Sequence, residues 1–273
     1  MPNIKEWKPD EKVKILVFAP SKTGKTFGAG TFPRPNFLDF DKGIATLRNP
    51  EFVKKYGLRS VEYEQFTERN VNSRGVVTQH NALDDASRYF DKCMKKDFVD
   101  KFDTWVIDSG TTMSEAAMNK AIVLLGSKVM AMASKTHEQA INTGLVYPKQ
   151  QDYGSERSMV EQFIDMVKET DKHVVILCHE KVLTNDEGTV TGIVPLLTGK
   201  GVEAVCLKFD EIYYLTAKKK GSEMLRTLTT HTNGIIKAGT RYGIPDGTDW
   251  SWDAINAEMQ RIHKEQTTQT VTA

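Results

Sequence analysis

Apolar residues gather in short runs along the chain. Val13-Lys14-Ile15-Leu16-Val17-Phe18-Ala19, Thr104-Trp105-Val106-Ile107-Asp108 and His173-Val174-Val175-Ile176-Leu177-Cys178 each predict a strand buried on both faces. Phe37-Leu38-Asp39-Phe40 predicts another short strand, and the looser alternation over residues 60–66 a further one. Between them the spacing turns helical. A helix is expected from near Lys25, one capped by Asn81 and reaching about Met94, and one over 114–132. Ser155 is the expected cap of another, with Met159, Val160, Phe163, Ile164 and Val167 on one face. The segment 181–201 holds four glycines and reads as a mobile loop or a hairpin. Residues 211–217 and 224–230 read as a hairpin around Lys218-Lys219-Lys220. Trp252, Ile255, Met259 and Ile262 mark a terminal helix to about 265, and 266–273 is expected to fray.

Strands alternating with helices over the first two thirds predict an α/β fold with a mainly parallel sheet. The last third predicts antiparallel strands added at its edge. No repeat, low-complexity linker or boundary divides the chain, so one domain over 1–273 is expected, with a core over about 13–246.

Composition narrows the function. Lys and Arg total 37 against 36 Asp and Glu, which excludes a uniformly basic coat but leaves room for a local basic patch. Cys93, Cys178 and Cys206 are too few and too widely spaced for a disulfide framework or a zinc site. No run approaches the roughly 20 apolar residues that span a bilayer, and the start lacks a signal-peptide core. A cytoplasmic protein with no membrane partner is expected.

The strongest chemical signal is Ala19-Pro20-Ser21-Lys22-Thr23-Gly24-Lys25-Thr26. It matches the P-loop pattern G-x-x-x-x-G-K-[ST] except for Ala at the first position. A turn from strand to helix aims backbone N–H groups at phosphate oxygens, so Pro20, Ser21, Lys22, Thr23 and Gly24 are candidate binding positions. Lys25 would reach the β- and γ-phosphates, and the Thr26 hydroxyl would ligate Mg²⁺. Such a site needs an acid at the end of another buried strand, and Asp108 supplies it. The bland alternatives are a Gly-Lys-Thr in a surface turn and an Asp that merely caps a helix. The flanking strand and helix favour ATP with Mg²⁺.

No Asn-Lys-x-Asp guanine motif and no Arg-rich lid are present. The layout instead resembles the RecA-like ATPases. Asp108-Ser109 closes the metal strand as theirs does, Asp41 stands where their water-orienting Glu is found, and His179 falls at their γ-phosphate sensor. The resemblance is greatest to a phage-type subfamily of single-strand annealing and recombination. It rests on the P-loop, Asn36-Phe37-Leu38-Asp39-Phe40-Asp41-Lys42-Gly43, Asp152-Tyr153-Gly154, Cys178-His179-Glu180-Lys181 and Lys237-Ala238-Gly239-Thr240-Arg241-Tyr242-Gly243.

That resemblance implies a DNA-dependent ATPase. Its catalytic residues would be Lys25, Asp41, His179 and Arg241, with Arg241 and Lys237 reaching a neighbouring subunit's nucleotide. It implies a homo-oligomer, as filament or ring, in the host cytoplasm if phage-encoded. The implied partners are single-stranded DNA and a single-strand-binding protein. Six basic residues between 216 and 241 (Lys218, Lys219, Lys220, Arg226, Lys237, Arg241) against Glu223 form a patch that could follow a phosphate backbone. The loops 128–153, with Lys135, His137, Tyr147, Lys149 and Tyr153, and 181–201 are the other DNA candidates. A ring helicase or packaging motor, and a non-hydrolysing ATP-gated accessory module, are the rival functions.

Overall fold

The computed structural model describes residues 12–67, 70–71, 77–130, 148–198, 201–221 and 223–272. The chain opens with β1 (Lys14–Ala19), the short helix α1 (Lys25–Ala29) and β2 (Pro35–Asp39). A 3₁₀ turn (Gly43–Arg48) leads into α2 (Pro50–Tyr56), followed by β3 (Glu62–Gln65) and a separate small ladder of β4 (Asn70–Val71) and β5 (Val77–Gln79). Next come α3 (Ala82–Cys93), α4 (Lys96–Val99), β6 (Thr104–Asp108), α5 (Gly110–Met130) and α6 (Gln150–Lys168). The last part holds β7 (His173–Thr184), β8 (Val190–Pro195), α7 (Gly201–Cys206), β9 (Glu211–Lys220), β10 (Glu223–Thr229), β11 (Gly239–Thr240) and α8 (Trp252–Thr272).

The main sheet runs β10-β9-β1-β7-β6-β2-β3, with β8 added to β7 and β11 to β9. The pairs β9-β1, β1-β7, β7-β6, β6-β2 and β2-β3 are parallel. Those of β10, β11 and β8 are antiparallel. This is the expected α/β P-loop core, mainly parallel with antiparallel strands from the C-terminal part.

The apolar runs are explained by coverage on both faces. Leu16, Phe18, Trp105, Ile107, Val174 and Ile176 point to one core, with Phe90, Ala117 and Phe163 from the helices. Their neighbours Ile15, Val17, Val106, Val175 and Leu177 point to the other, with Phe27, Phe32, Phe52, Trp250 and Ile255. Alternate residues of a strand face opposite sides, so a strand in a sheet covered on both faces is apolar throughout.

Several expectations shift. β9 lies parallel to β1, not antiparallel, because the segment carrying α7 crosses back before it; the antiparallel partners of β9 are β10 and β11. The segment 181–201 is mostly ordered hairpin. β7 continues to Thr184 and pairs with β8, and the Asn185 side chain accepts from the Glu187 and Thr189 amides to close the turn. Gly199 and Lys200 lie outside the described residues. α5 begins at Gly110, since Ser109 caps it by accepting from the Thr112 amide. α6 begins at Gln150, because the Asp152 carboxylate accepts the Lys149 amide at 2.6 Å; Ser155 sits inside the helix. α8 continues through the expected frayed tail to Thr272, as a helix anchored by Ile255 propagates at little further cost. Among the described residues no helix is long and apolar enough to cross a membrane.

Candidate nucleotide site

β1 and β6 lie on either side of β7, and their C-terminal ends set the site. Leaving β1, the chain turns through Lys22 (φ 63°) and Gly24 (φ 98°), both in the left-handed region. Thr23 Oγ1 donates to the Pro20 carbonyl at 2.6 Å and fixes the turn. Lys25 Nζ donates to the carbonyls of Pro20 (2.9 Å) and Ala19 (3.1 Å), which lays its ammonium along the loop. Burial lowers the Lys25 pKa, opposed by the nearby Asp108 carboxylate. α1 is only five residues long, so phosphate binding here would depend on the loop amides and Lys25 more than on a helix dipole.

Thr26 Oγ1 donates a 2.6 Å hydrogen bond to Asp108 Oδ2. The two oxygens stand together at the floor of a cleft of about 600 Å³. Burial raises the Asp108 pKa to about 6, partly offset by the Thr26 hydrogen bond and reinforced by Asp41 and Asp39. Gly43 closes this corner: a Cβ there would meet Asp108 Oδ2 at 3.0 Å and Thr26 Oγ1 at 3.4 Å.

β2 delivers Asp41 to the same place. The Phe40 and Asp41 amides both donate to the Asp108 carbonyl, latching the end of β2 to the end of β6. Buried Asp39 accepts from the Gly43 amide at 2.8 Å and from Gln65 Nε2 at 3.0 Å, fixing the turn beyond Asp41. The Asp41 carboxylate accepts from Thr112 Oγ1 and lies 3.3 Å from His179 Nε2. Burial pushes its pKa up, but hydrogen bonds from His179, Thr112 and Ser109 outweigh that and hold it below the usual carboxylate range. Asp41 is therefore ionised at neutral pH. His179 itself is placed by β7: its amide donates to Thr111 Oγ1 at 2.9 Å, and Thr111 donates on to the Leu196 carbonyl.

The sequence model of the AAA domain matches residues 11–242. The chain belongs to the AAA domain family. One solved structure similar to it is the KaiC-like protein PH0186 from the hyperthermophilic archaeon Pyrococcus horikoshii OT3. The match has 13% identity and a TM-score of 0.35, over 79% of this chain and 76% of that one. No curated protein matches the chain.

The cleft of this AAA domain brings together Ser21, Lys22, Gly24, Lys25, Thr26, Asp41, Asp108 and His179, all anticipated from sequence. Pro20 and Thr23 shape the loop through their mutual hydrogen bond and do not line the cleft. Arg241 and Lys237 are not in it either. β11 pairs with the first residues of β9, at the opposite end of the sheet from the P-loop, and Arg241 there is exposed and ion-paired with Asp210. Any contact of Arg241 with a nucleotide would have to be with another molecule's.

Three features of the AAA domain escaped the sequence reading. Gly43 is one. Trp250 is the second: its indole Nε1 donates to the Lys25 carbonyl at 2.9 Å, and its ring fills the space a Cβ on Gly28 would need, at 2.1 Å. The third is Arg226, expected in the basic patch. It turns inward to line the cleft and pairs with Glu51, so the patch loses one member, while Lys218, Lys219 and Lys220 are exposed at the β9–β10 turn. Of the first candidate DNA loop, Lys135, His137 and Tyr147 lie outside the described residues, and Tyr153 is exposed on α6.

Proposed function

We propose that this AAA domain binds ATP with Mg²⁺, hydrolyses it, and uses the cycle to control binding to single-stranded DNA in annealing or recombination. The contact between Thr26 and Asp108 carries the nucleotide part. A hydroxyl from the P-loop and a carboxylate from a different strand meet at 2.6 Å beside Lys25, and both are the hard oxygen donors that suit Mg²⁺. Mg²⁺ usually takes one or two protein oxygens and completes its shell with phosphate and water, and bound there it would neutralise phosphate charge. Lys25 would then exchange the Ala19 and Pro20 carbonyls for phosphate oxygens. Asp41, ionised and hydrogen-bonded by Thr112 and His179, would orient the attacking water and accept its proton. His179 would sense the γ-phosphate and pass its position along β7 into the β7–β8 hairpin.

The DNA part rests on the resemblance and on the exposed lysines of the β9–β10 turn. Assembly into a filament or ring and recruitment of a single-strand-binding protein belong to the same proposal.

The test is ATP affinity and turnover for the parent and Lys25→Ala, with and without Mg²⁺ and single-stranded DNA. Losing an interaction with a charged phosphate should weaken binding about ten- to hundredfold. Unchanged affinity and turnover in folded Lys25→Ala protein would sink the nucleotide assignment. Turnover that ignores DNA would sink the DNA-dependent part alone.

A further inference from the structure

Arg226 is the one arginine among the described residues that lines the nucleotide cleft, and it comes from β10, far from the P-loop in sequence. Its guanidinium lies 3.9 Å above the centre of the Phe27 ring, which immediately follows Thr26. Nη1 and Nη2 donate to the two Glu51 carboxylate oxygens at 2.7 and 3.3 Å. Nε is buried and meets no acceptor among the described residues. The same Nε stands where a Cβ on Gly24 would be, at 2.3 Å, so it packs directly on the loop that would cradle phosphate. Its backbone is also tied to that loop: the Trp250 amide donates to the Arg226 carbonyl, and the Trp250 indole donates to the Lys25 carbonyl.

An arginine with one face on an aromatic ring and one edge on a carboxylate is held in a single orientation. A planar guanidinium so held is suited to polyphosphate oxygens, and an unsatisfied buried N–H favours gaining an acceptor. Resting on the ATP-binding function proposed above, we propose that Arg226 is a phosphate-binding residue of this cleft, supplied by the same chain. Glu51 is the internal anion that occupies the arginine when no phosphate is bound. Arg226 thus adds to Lys25, within one subunit, a second cation for the phosphates, where the sequence resemblance looks to Arg241 and Lys237 of a neighbour. Binding of the polyphosphate draws the guanidinium from Glu51 toward the P-loop, and the Phe27 ring keeps it over the cleft during that shift.

The experiment measures affinity for ATP and for inorganic tripolyphosphate, by calorimetry, in the parent, Arg226→Ala, Arg226→Lys and Glu51→Gln. Thermal melting without ligand is recorded alongside. Arg226→Ala should bind both ligands about ten- to hundredfold more weakly, and Arg226→Lys should recover part of the loss. Glu51→Gln removes the competing charge and should bind both more tightly than the parent. Equal affinity in parent and folded Arg226→Ala overturns the proposal. So does a loss for ATP with none for tripolyphosphate, which would place the arginine on the nucleoside. If Arg226→Ala and Glu51→Gln lower the melting temperature alike and leave both affinities unchanged, the pair is structural and the proposal falls. A parent that binds neither ligand would refute the ATP-binding function itself, a result distinct from any of these.

Discussion

His179 Nε2 and Asp41 Oδ2 stand 3.3 Å apart although 138 positions separate them in the chain. β7 presents the imidazole and the end of β2 presents the carboxylate, and Thr112 at the start of α5 binds the same carboxylate. If the pair acts as a unit on the attacking water, its members are not independent. Asp41→Asn and His179→Ala should each lower turnover about a hundredfold, and the double variant should be little worse than either single one. Steady-state turnover of the four proteins at saturating ATP checks this; multiplicative losses would separate the two residues.

The Thr26–Asp108 contact makes a different prediction. Thr26→Ala and Asp108→Ala should weaken nucleotide binding in the presence of Mg²⁺ far more than in its absence. Each removes one member of the donor pair and leaves the loop amides and Lys25 in place. Calorimetric titrations with ATP, with Mg²⁺ and with a chelator, read the difference. The same Mg²⁺ dependence in both variants as in the parent would make Asp108 a structural acid.

Gly28→Ala should destabilise the protein by about 1–3 kcal/mol, because the added methyl meets the Trp250 ring in a fully packed interior. Trp250→Phe keeps most of the packing but loses the hydrogen bond to the Lys25 carbonyl, at a cost of about 1 kcal/mol. Urea unfolding of both variants without ligand measures these losses. A Gly28→Ala protein as stable as the parent would mean that the indole can move aside.

Glu156 predicts a pH effect away from the cleft. Its Oε1 accepts from Ser114, while Oε2 is buried with no partner among the described residues. Burial raises its pKa above the ordinary glutamate value, opposed by Ser114 and Thr198. The folded state therefore holds the proton to higher pH than the unfolded chain. Its contribution is most favourable below the ordinary glutamate pKa and is lost as pH rises from there through the raised folded value. Glu156→Gln should abolish that decline and melt higher than the parent at neutral pH, with little difference near pH 4. Melting curves across pH 4–8 test it; parallel curves for the two proteins would place the titration elsewhere.

The strands β1, β2, β6 and β7, the P-loop and the residues Lys25, Thr26 and Asp108 were legible in the sequence itself, while Asp41 and His179 were reached through the resemblance to the RecA-like ATPases. The strands depend on local pattern: an apolar run long enough to cross a sheet covered on both faces, with polar residues closing it or following it at the site's edge. What one strand end carries is written in that strand. Which strand ends meet is decided by the order β1-β7-β6-β2, in which the histidine strand lies between the P-loop and acid strands. Gly43, Trp250 and Arg226 were beyond the reach of local reading, because their roles exist only where distant segments close on the P-loop. A glycine shows no need for smallness until Asp108 and Thr26 crowd it. Arg226 read as one more charge in a basic stretch until β10 turned its side chain onto Phe27. Local periodicity sets which face of an element is buried; only tertiary packing sets what that face is buried against.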